Sequence, residues 1–178
     1  MHEPEKFIAA IIKAAPDYKL VGRVRLQKIA YLLQKLGLKE AQALDFSYHH
    51  YGPYSEQVDS ARWFADAAGL IEETRARRKL DSATYSIFEM GNAAKDLPEF
   101  PAEFAIKVQD WAQRDPIVLE LAATVHWLAA EEKVEDWKKE LRRRKTWKVE
   151  NGRLEKALEL LKELELPPAA EEGHDLAH

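Results

Sequence analysis

A ten-residue stretch at 46–55, F-S-Y-H-H-Y-G-P-Y-S, restricts the fold of this chain more than any other feature. From Phe46 to Tyr51, rings and imidazoles recur with a period of two, which predicts a short strand. Gly52-Pro53 should end the strand, because proline holds its predecessor in extended geometry and glycine accepts unusual backbone angles. Ser55 can then cap a helix. The stretch therefore predicts a strand, a sharp corner and a helix start.

Two helices are predicted before this stretch and one after it. Residues 3–14 and 24–36 repeat apolar side chains at helical spacing. In the second helix, four polar side chains should lie on the exposed face: Gln27, Lys28, Gln34 and Lys35. The third helix should run over 55–68 and bury Val58, Ala61, Ala68 and either Phe64 or Ala65.

A hairpin is predicted after the third helix. Residues 70–75 and 83–88 favour strands, and the polar, basic turn R-R-K-L-D-S joins them. The order helix, helix, strand, helix, hairpin, helix is that of a winged helix-turn-helix, with 55–68 as the recognition helix and the hairpin as the wing. We therefore expect a winged-helix-like region over residues 1–98.

The second half of the chain is predicted to be helical. Asp115-Pro116 combines a capping carboxylate with proline at the first helical position, and the helix that follows to Ala130 is apolar nearly all round. We expect it to be buried, with Asn151 capping the last helix. Residues 99–166 should form a helical extension packed on the first region as one compact domain, and 167–178 a flexible tail. The predicted fold class is mainly α with a small β component.

Composition excludes several kinds of site. The 178 residues contain no cysteine, which removes disulfides, thiol nucleophiles and cysteine-ligated zinc. No apolar run approaches the ~20 residues that a membrane span needs. The acidic start, M-H-E-P-E-K, lacks the pattern of a secretory signal. We therefore predict a cytoplasmic protein with no membrane partner, no metal and no cofactor.

Several segments together resemble a prokaryotic family. L-Q-K-I-A-Y-L-L-Q (26–34) is followed by Y-H-H-Y-G-P-Y-S (48–55), A-G-L-I (68–71) and L-E-L-A-A-T-V-H-W-L-A (119–129). They look like the YwgA-like proteins and, more distantly, the Panacea domain of SocA-like antitoxins, in which a Gln-Lys-Leu helix precedes an aromatic strand ending in Tyr-Gly-Pro. The resemblance implies a small non-enzymatic protein. In the SocA-like branch it implies an antitoxin, or an adaptor that delivers a toxin to a protease.

The aromatic stretch is the predicted partner-binding surface. Tyrosine suits such a surface because it buries much area at little cost in conformational entropy. The predicted contacts with a protein partner, a toxin or a protease component, are Tyr48, His49, Tyr51 and Tyr54. The predicted structural turn consists of Gly52, Pro53 and Ser55.

A catalytic role for this stretch is disfavoured. His49 and His50 are neighbours in a predicted strand, so they point to opposite faces and cannot hold one metal ion together. Capping already accounts for Ser55 without a catalytic base. The chain also has no glycine-rich phosphate loop, no G-x-S-x-G elbow and no H-E-x-x-H helix. We predict that the protein is not an enzyme.

The alternative is a winged-helix DNA-binding regulator. Its candidate contacts lie on the third helix and the wing tip: Gln57, Arg62, Arg75, Arg77, Arg78 and Lys79. Glu56 and Asp59 on the same helix would oppose phosphate, and the wing tip is equally well explained as a solvated turn. A second basic cluster fits ion pairs with the acidic helix that follows, an acidic partner or nucleic acid: Lys138, Lys139, Arg142, Arg143, Arg144, Lys145 and Lys148.

Overall fold

Helices, with the short 3-10 and π segments included, account for 57% of the described residues, with a small β component of 14%, as the sequence predicts. The structure, a computed structural model, describes residues 3–168. Its helices are α1 (Pro4–Ala14), α2 (Arg23–Lys35), α3 (Glu56–Ala67), α4 (Ala102–Gln113), α5 (Pro116–His126), α6 (Trp137–Lys145) and α7 (Arg153–Glu163). Its strands are β1 (Lys19–Val21), β2 (Ser47–His49), β3 (Gly52–Tyr54), β4 (Ile71–Arg77) and β5 (Thr84–Met90). Within this range, no helix combines the length and apolarity needed to cross a bilayer.

The chain divides into two compact units. The first contains the residues up to Ser47 together with Tyr54–Arg114, and the second contains Tyr48–Pro53 together with the chain from Asp115 onward. Helix α4, which the sequence analysis assigns to the helical extension, therefore packs within the first unit. The predicted tail lies outside the described residues from 169 onward.

The first unit is built on an antiparallel sheet in the order β1-β5-β4. Phe88 of β5 is fully buried and lies opposite Leu20 of β1 and Glu73 of β4. Strand β1 is absent from the sequence prediction because three residues are too few to show a period of two. Helix α1 buries an unbroken apolar run beside this sheet: Phe7, Ile8, Ala9, Ala10, Ile11 and Ile12.

The prediction that Gln27 and Lys28 lie on the exposed face of α2 is wrong, because both are buried. Gln27 Nε2 donates to the Ser55 carbonyl at 2.9 Å, and Gln27 Oε1 accepts from the Ser55 N–H at 2.9 Å. Ser55 lies between a strand and a helix, and its C=O also accepts from the Asp59 N–H of α3 at 3.3 Å, so Gln27 supplies the partner of the Ser55 N–H and a second partner of its C=O. The buried face of α2 therefore includes a glutamine, whose amide binds the backbone of Ser55.

The predicted cap of α3 is present, and its buried face is largely as expected. Ser55 Oγ accepts a hydrogen bond from the Val58 N–H at 3.3 Å, and Val58, Ala61 and Ala65 are buried. Of the alternatives Phe64 and Ala65, Ala65 faces the core, whereas Phe64 and Ala68 are exposed.

The aromatic stretch forms a two-stranded ribbon rather than one strand. The prediction that Gly52-Pro53 ends the strand is wrong, because the chain turns at 50–51 and Gly52–Tyr54 returns as β3 beside β2. A two-stranded ribbon has two open edges, so Pro53, which lacks an N–H, can occupy one of them.

The second unit is built around α5, whose residues 118–126 are all buried, as predicted for the apolar helix. Asp115 caps it through a 2.9 Å hydrogen bond from the Ile117 N–H. The prediction that Asn151 caps α7 is wrong. Gly152 occupies that position in the left-handed region, and no side chain caps the helix.

Candidate partner-binding surfaces

Gly52 packs the aromatic ribbon, which consists of β2, β3 and the turn between them, against α5. It is buried with φ +87°, and a Cβ atom at this position would lie 2.4 Å from Thr124 Oγ1 of α5. Both the backbone angle and the space therefore require glycine. Pro53, beside it, is also buried. The Tyr-Gly-Pro corner thus packs directly on the central helix of the second unit.

Two tyrosines of the ribbon lie against cations of the second unit. The Tyr48 ring is partly buried, with Arg144 Cζ 4.5 Å and Lys145 Nζ 5.7 Å from its centroid. Burial raises the pKa of Tyr48, although Arg144 acts in the opposite direction. The Tyr51 ring is 56% exposed, with Lys148 Nζ 4.8 Å from its centroid. These cation–π contacts hold the rings in place while leaving Tyr51 open to a partner.

A buried ion cluster lies next to these tyrosines. Glu120 of α5 is 2% exposed, and its carboxylate accepts from Lys145 Nζ at 2.8 Å and from Lys148 Nζ at 3.0 Å. Lys145 also donates to the His50 carbonyl at 2.9 Å, which connects the ribbon backbone to α5 and α6. Burial lowers the pKa of Lys145, despite the nearby Glu120 carboxylate. Removing one partner would leave a buried charge uncompensated, so the cluster acts as a unit.

Sequence reasoning missed Glu120. It is a single carboxylate in a helix that is otherwise apolar, and a buried carboxylate needs cations close by. The basic run at 138–148 supplies those cations. A lone carboxylate in an apolar helix and a basic run later in the chain could therefore together have predicted the ion pair of Glu120. The ion pairs of this run reach Glu120, Glu132 and Glu140, which all precede or lie within α6.

Arg143 and Arg144 converge on Glu140 within α6. Hydrogen bonds from the two guanidinium groups hold the pKa of Glu140 at about 2. Arg144 also pairs with Glu132 at 3.0 Å. Burial lowers the pKa of Arg144, but the carboxylates of Glu140 and Glu132 and the Tyr48 hydroxyl raise it by more, so it lies above the ordinary value of arginine. Arg144 is therefore fixed at a set position beside the Tyr48 ring.

Helix α3 in the first unit carries a second exposed aromatic pair. Trp63 is 58% exposed and Phe64 57% exposed, with ring centroids 5.1 Å apart and ring planes at 84°. Three carboxylates lie on the same helix: Glu56, Asp59 and Asp66. Two large rings that no core requires, flanked by acidic side chains, form a surface with both apolar and charged character.

Three other predicted contact residues differ in exposure. Tyr54 is partly buried, and burial, followed by the charges of Asp59 and Glu56, raises its pKa. His49 is exposed on the ribbon. Gln57 is exposed, and its amide oxygen accepts from the Asp45 N–H at 2.6 Å.

Arg62 does not face outward, and that expectation is wrong. It is 7% exposed, pairs with Asp59 at 3.0 Å and contacts Glu73 of β4. Glu73 also accepts from Arg23 at 2.7 Å and from the Ser86 hydroxyl at 2.6 Å. Burial by itself would raise the pKa of Glu73. The hydrogen bonds from Ser86 and Arg23 and the charges of Arg62 and Arg23 lower it by more, so the pKa lies below the ordinary value of a glutamate. Arg62 thus joins α3 to the sheet.

The wing residues lie at the exposed end of the β4–β5 hairpin. Arg75 donates to the Thr84 hydroxyl at 2.9 Å, and Arg78 pairs with Asp81 at 2.9 Å. Arg77 and Lys79 are exposed. Among residues 3–168, no group of three or more histidines and carboxylates is arranged to hold a metal ion.

Two known proteins are similar to this chain. It is 31% identical over 138 residues to a "DNA ADP-ribosyl glycohydrolase" of Thermus aquaticus, a match that covers 71% of this chain but 36% of that protein. It is 26% identical over 159 residues to the "Uncharacterized protein YwgA" of Bacillus subtilis, covering 88% of this chain and 95% of that protein. The second match supports the resemblance to the YwgA-like proteins. No family model matches the chain.

Proposed function

We propose that this protein is a non-enzymatic interaction module that binds a partner protein, in an antitoxin-like or proteolytic-adaptor-like role. The observation that carries the proposal is that three large aromatic side chains, of a kind usually found in a protein core, are exposed. Tyr51 on the ribbon, and Trp63 and Phe64 on α3, are each more than half exposed. Exposed Tyr and Trp are the side chains that most often provide the binding energy of protein interfaces.

The chemistry of α3 favours protein over DNA as the partner. Its outward side presents Trp63, Phe64 and three carboxylates, whereas Arg62 is committed to ion pairs with Asp59 and Glu73. Carboxylates oppose the phosphate backbone, and large apolar rings do not read base edges in a groove. A protein surface with basic side chains around an apolar pocket complements this face.

The relatives bear on the proposal in different ways. YwgA is named an uncharacterized protein, so it supplies likeness without a role. The Thermus protein is named for removing ADP-ribosyl groups from DNA, and this chain spans 36% of its length. We propose that this chain binds a partner and has no glycohydrolase activity of its own. Incubation with an ADP-ribosylated oligonucleotide tests this choice, and release of ADP-ribose by the purified chain would refute the non-enzymatic assignment.

The experiment that tests the partner uses the gene adjacent to this one on its chromosome. The adjacent gene is expressed alone and together with this chain, and growth and co-purification are followed. We expect the wild-type chain to restore growth and to co-purify with the adjacent product. Tyr51→Ala and Trp63→Ala, in separate units of the chain, should each weaken both effects.

Leu80→Ala is the matched control. Leu80 is 98% exposed in the turn between β4 and β5, so its removal deletes a large exposed apolar side chain that belongs to neither α3 nor the ribbon. It should behave as wild type. If Leu80→Ala fails together with the ring variants, the loss reflects general exposed hydrophobicity, and the two proposed surfaces are not the contact sites.

The second candidate remains a winged-helix regulator. The order α1, β1, α2, α3, β4, β5 in the first unit and the exposed side chains of Arg77 and Lys79 favour it. It requires gel retardation of genomic fragments at low salt, which is lost when Arg75, Arg77 and Arg78 become alanine. Absence of retardation at low salt ends this hypothesis.

A further inference from the structure

The outer side of α6 and the 3-10 turn at 146–149 carry a surplus of positive charge. Residues 137–148 contain seven Lys or Arg residues and one Glu, a net charge of +6. Arg144, Lys145 and Lys148 face inward and pair with carboxylates. Lys139 and Arg142 are exposed and form no ion pair with another described residue. Folding therefore accounts for the inner cations and leaves the outer ones for a ligand.

Exposed aromatic rings occur in the same unit as this charge. Trp147 is 57% exposed, and Arg153 Cζ is 5.7 Å from the centroid of its ring. Its sequence neighbour Lys148 reaches the exposed ring of Tyr51 at 4.8 Å. Two exposed rings, each with a cation beside it, thus occur in the same unit as the outward cations of α6.

We propose that this basic–aromatic surface, formed by Lys139, Arg142, Tyr51, Trp147 and Arg153, binds single-stranded nucleic acid without sequence preference. Cations that follow a phosphate chain, together with rings on which bases stack, are how proteins hold single strands. A duplex keeps its base faces stacked, so exposed rings gain nothing from it. An acidic protein would use the cations but has no bases to place on Trp147. This ligand is additional to the partner protein proposed above.

The magnitude follows from stacking and charge. Loss of one stacked base weakens binding of a single strand by about 5- to 150-fold. Each phosphate contact contributes about −0.7 to the slope of log affinity against log salt. Replacing Lys139 and Arg142 together by alanine should therefore make this slope shallower by about 1.4.

The test measures fluorescence anisotropy of labelled (dT)12 with the full chain at 50 and 150 mM salt. We expect saturable binding that Trp147→Ala weakens about 5- to 150-fold, while Trp147→Phe, which keeps a ring, retains most of the affinity. Trp147 is exposed, so neither variant should alter the melting temperature. Lys13→Ala/Lys19→Ala, which removes two exposed cations of the first unit, serves as a charge-matched control and should bind as wild type does.

Three results would overturn the proposal. The first is no binding of (dT)12 at 50 mM salt. The second is equal or tighter binding of a blunt 12-base-pair duplex, or displacement of (dT)12 by poly-glutamate of the same charge, because either would show a response to negative charge alone. The third is unchanged affinity in Trp147→Ala. Displacement by poly-glutamate would in addition assign this surface to an acidic protein.

Discussion

Substitution of Gly52 by alanine should be among the most damaging single-methyl changes in this chain. Its φ of +87° costs an L-residue about 1–2 kcal/mol. The added Cβ would lie 2.4 Å from Thr124 Oγ1, and overpacking of this kind costs about 1–3 kcal/mol more. The free energy of unfolding should therefore fall by about 2–5 kcal/mol. With an m-value of about 2 kcal/mol/M, the urea midpoint should move down by about 1–2.5 M.

Two variants separate the two costs in urea unfolding followed by circular dichroism. Gly152→Ala has a similar φ of +75° with no atom within 4 Å of the added Cβ, so it should lose only the backbone cost of about 1–2 kcal/mol. Gly52→Ala combined with Thr124→Ala removes the clashing oxygen, and the nearest remaining contact, to the Cβ of residue 124, is then 3.7 Å away. The double variant should recover the overpacking cost. If Gly52→Ala is no worse than Gly152→Ala, the steric reasoning is wrong.

Three further changes test the packing. Thr124→Val replaces a buried hydroxyl that has no hydrogen-bond partner among residues 3–168, so stability in thermal melts should stay equal or rise by about 1 kcal/mol. A loss of stability of more than about 1 kcal/mol would show that the hydroxyl does have a hydrogen-bond partner. Gln27→Leu leaves the buried N–H of Ser55 without its partner and removes one of the two hydrogen bonds to the Ser55 C=O, so it should cost about 1–3 kcal/mol in urea unfolding, and a neutral result would contradict the pairing. The pKa of Glu73 is lower in the folded chain than its ordinary value of 4.5, so its stabilising contribution is complete above that pH and is lost as pH falls through the folded value. Stability measured between pH 6 and 3 should therefore fall more steeply for wild type than for Glu73→Gln, and parallel curves would count against the network.

The helical part of the fold follows from the sequence because its signals are local. Asp115-Pro116 and Ser55 mark helix starts by the hydrogen bonds that their side chains can accept, and the structure contains both bonds. Apolar periodicity also identified the buried faces of α1 and α5. In each case, the deciding residues lie within one helical turn of the feature.

The errors occur where distant residues decide. Gln27 is polar, and its burial follows from the backbone of Ser55, 28 positions away. Arg62 is drawn inward by Glu73 on a later strand. Strand β3 depends on pairing with β2 across a turn, and proline suggested an end rather than a return. Periodicity contains no information about such long-range partners.

The candidate surfaces were located only in part. The aromatic stretch was chosen from its composition, and Tyr51 and His49 are indeed exposed. The exposure of both Trp63 and Phe64 does not follow from the pattern, because an aromatic residue on a helix is more often part of the core, and the pattern leaves Phe64 as an alternative to Ala65 on the buried face. Adjacent helical side chains point about 100° apart, so on a helix that is largely polar, such as α3, at least one of the two rings could have been expected outside the narrow buried face.

Calorimetric titration with the purified product of the adjacent gene measures whether the exposed rings bind a protein partner. We expect saturable binding that weakens by about 30-fold or more in Tyr51→Ala and in Trp63→Ala, which corresponds to at least about 2 kcal/mol for each ring. We also expect only a small change in affinity between 0.1 and 0.5 M salt. Affinity that is unchanged by loss of either ring, or heat of binding that is absent with the wild-type chain, would contradict the proposal that these rings bind a protein partner.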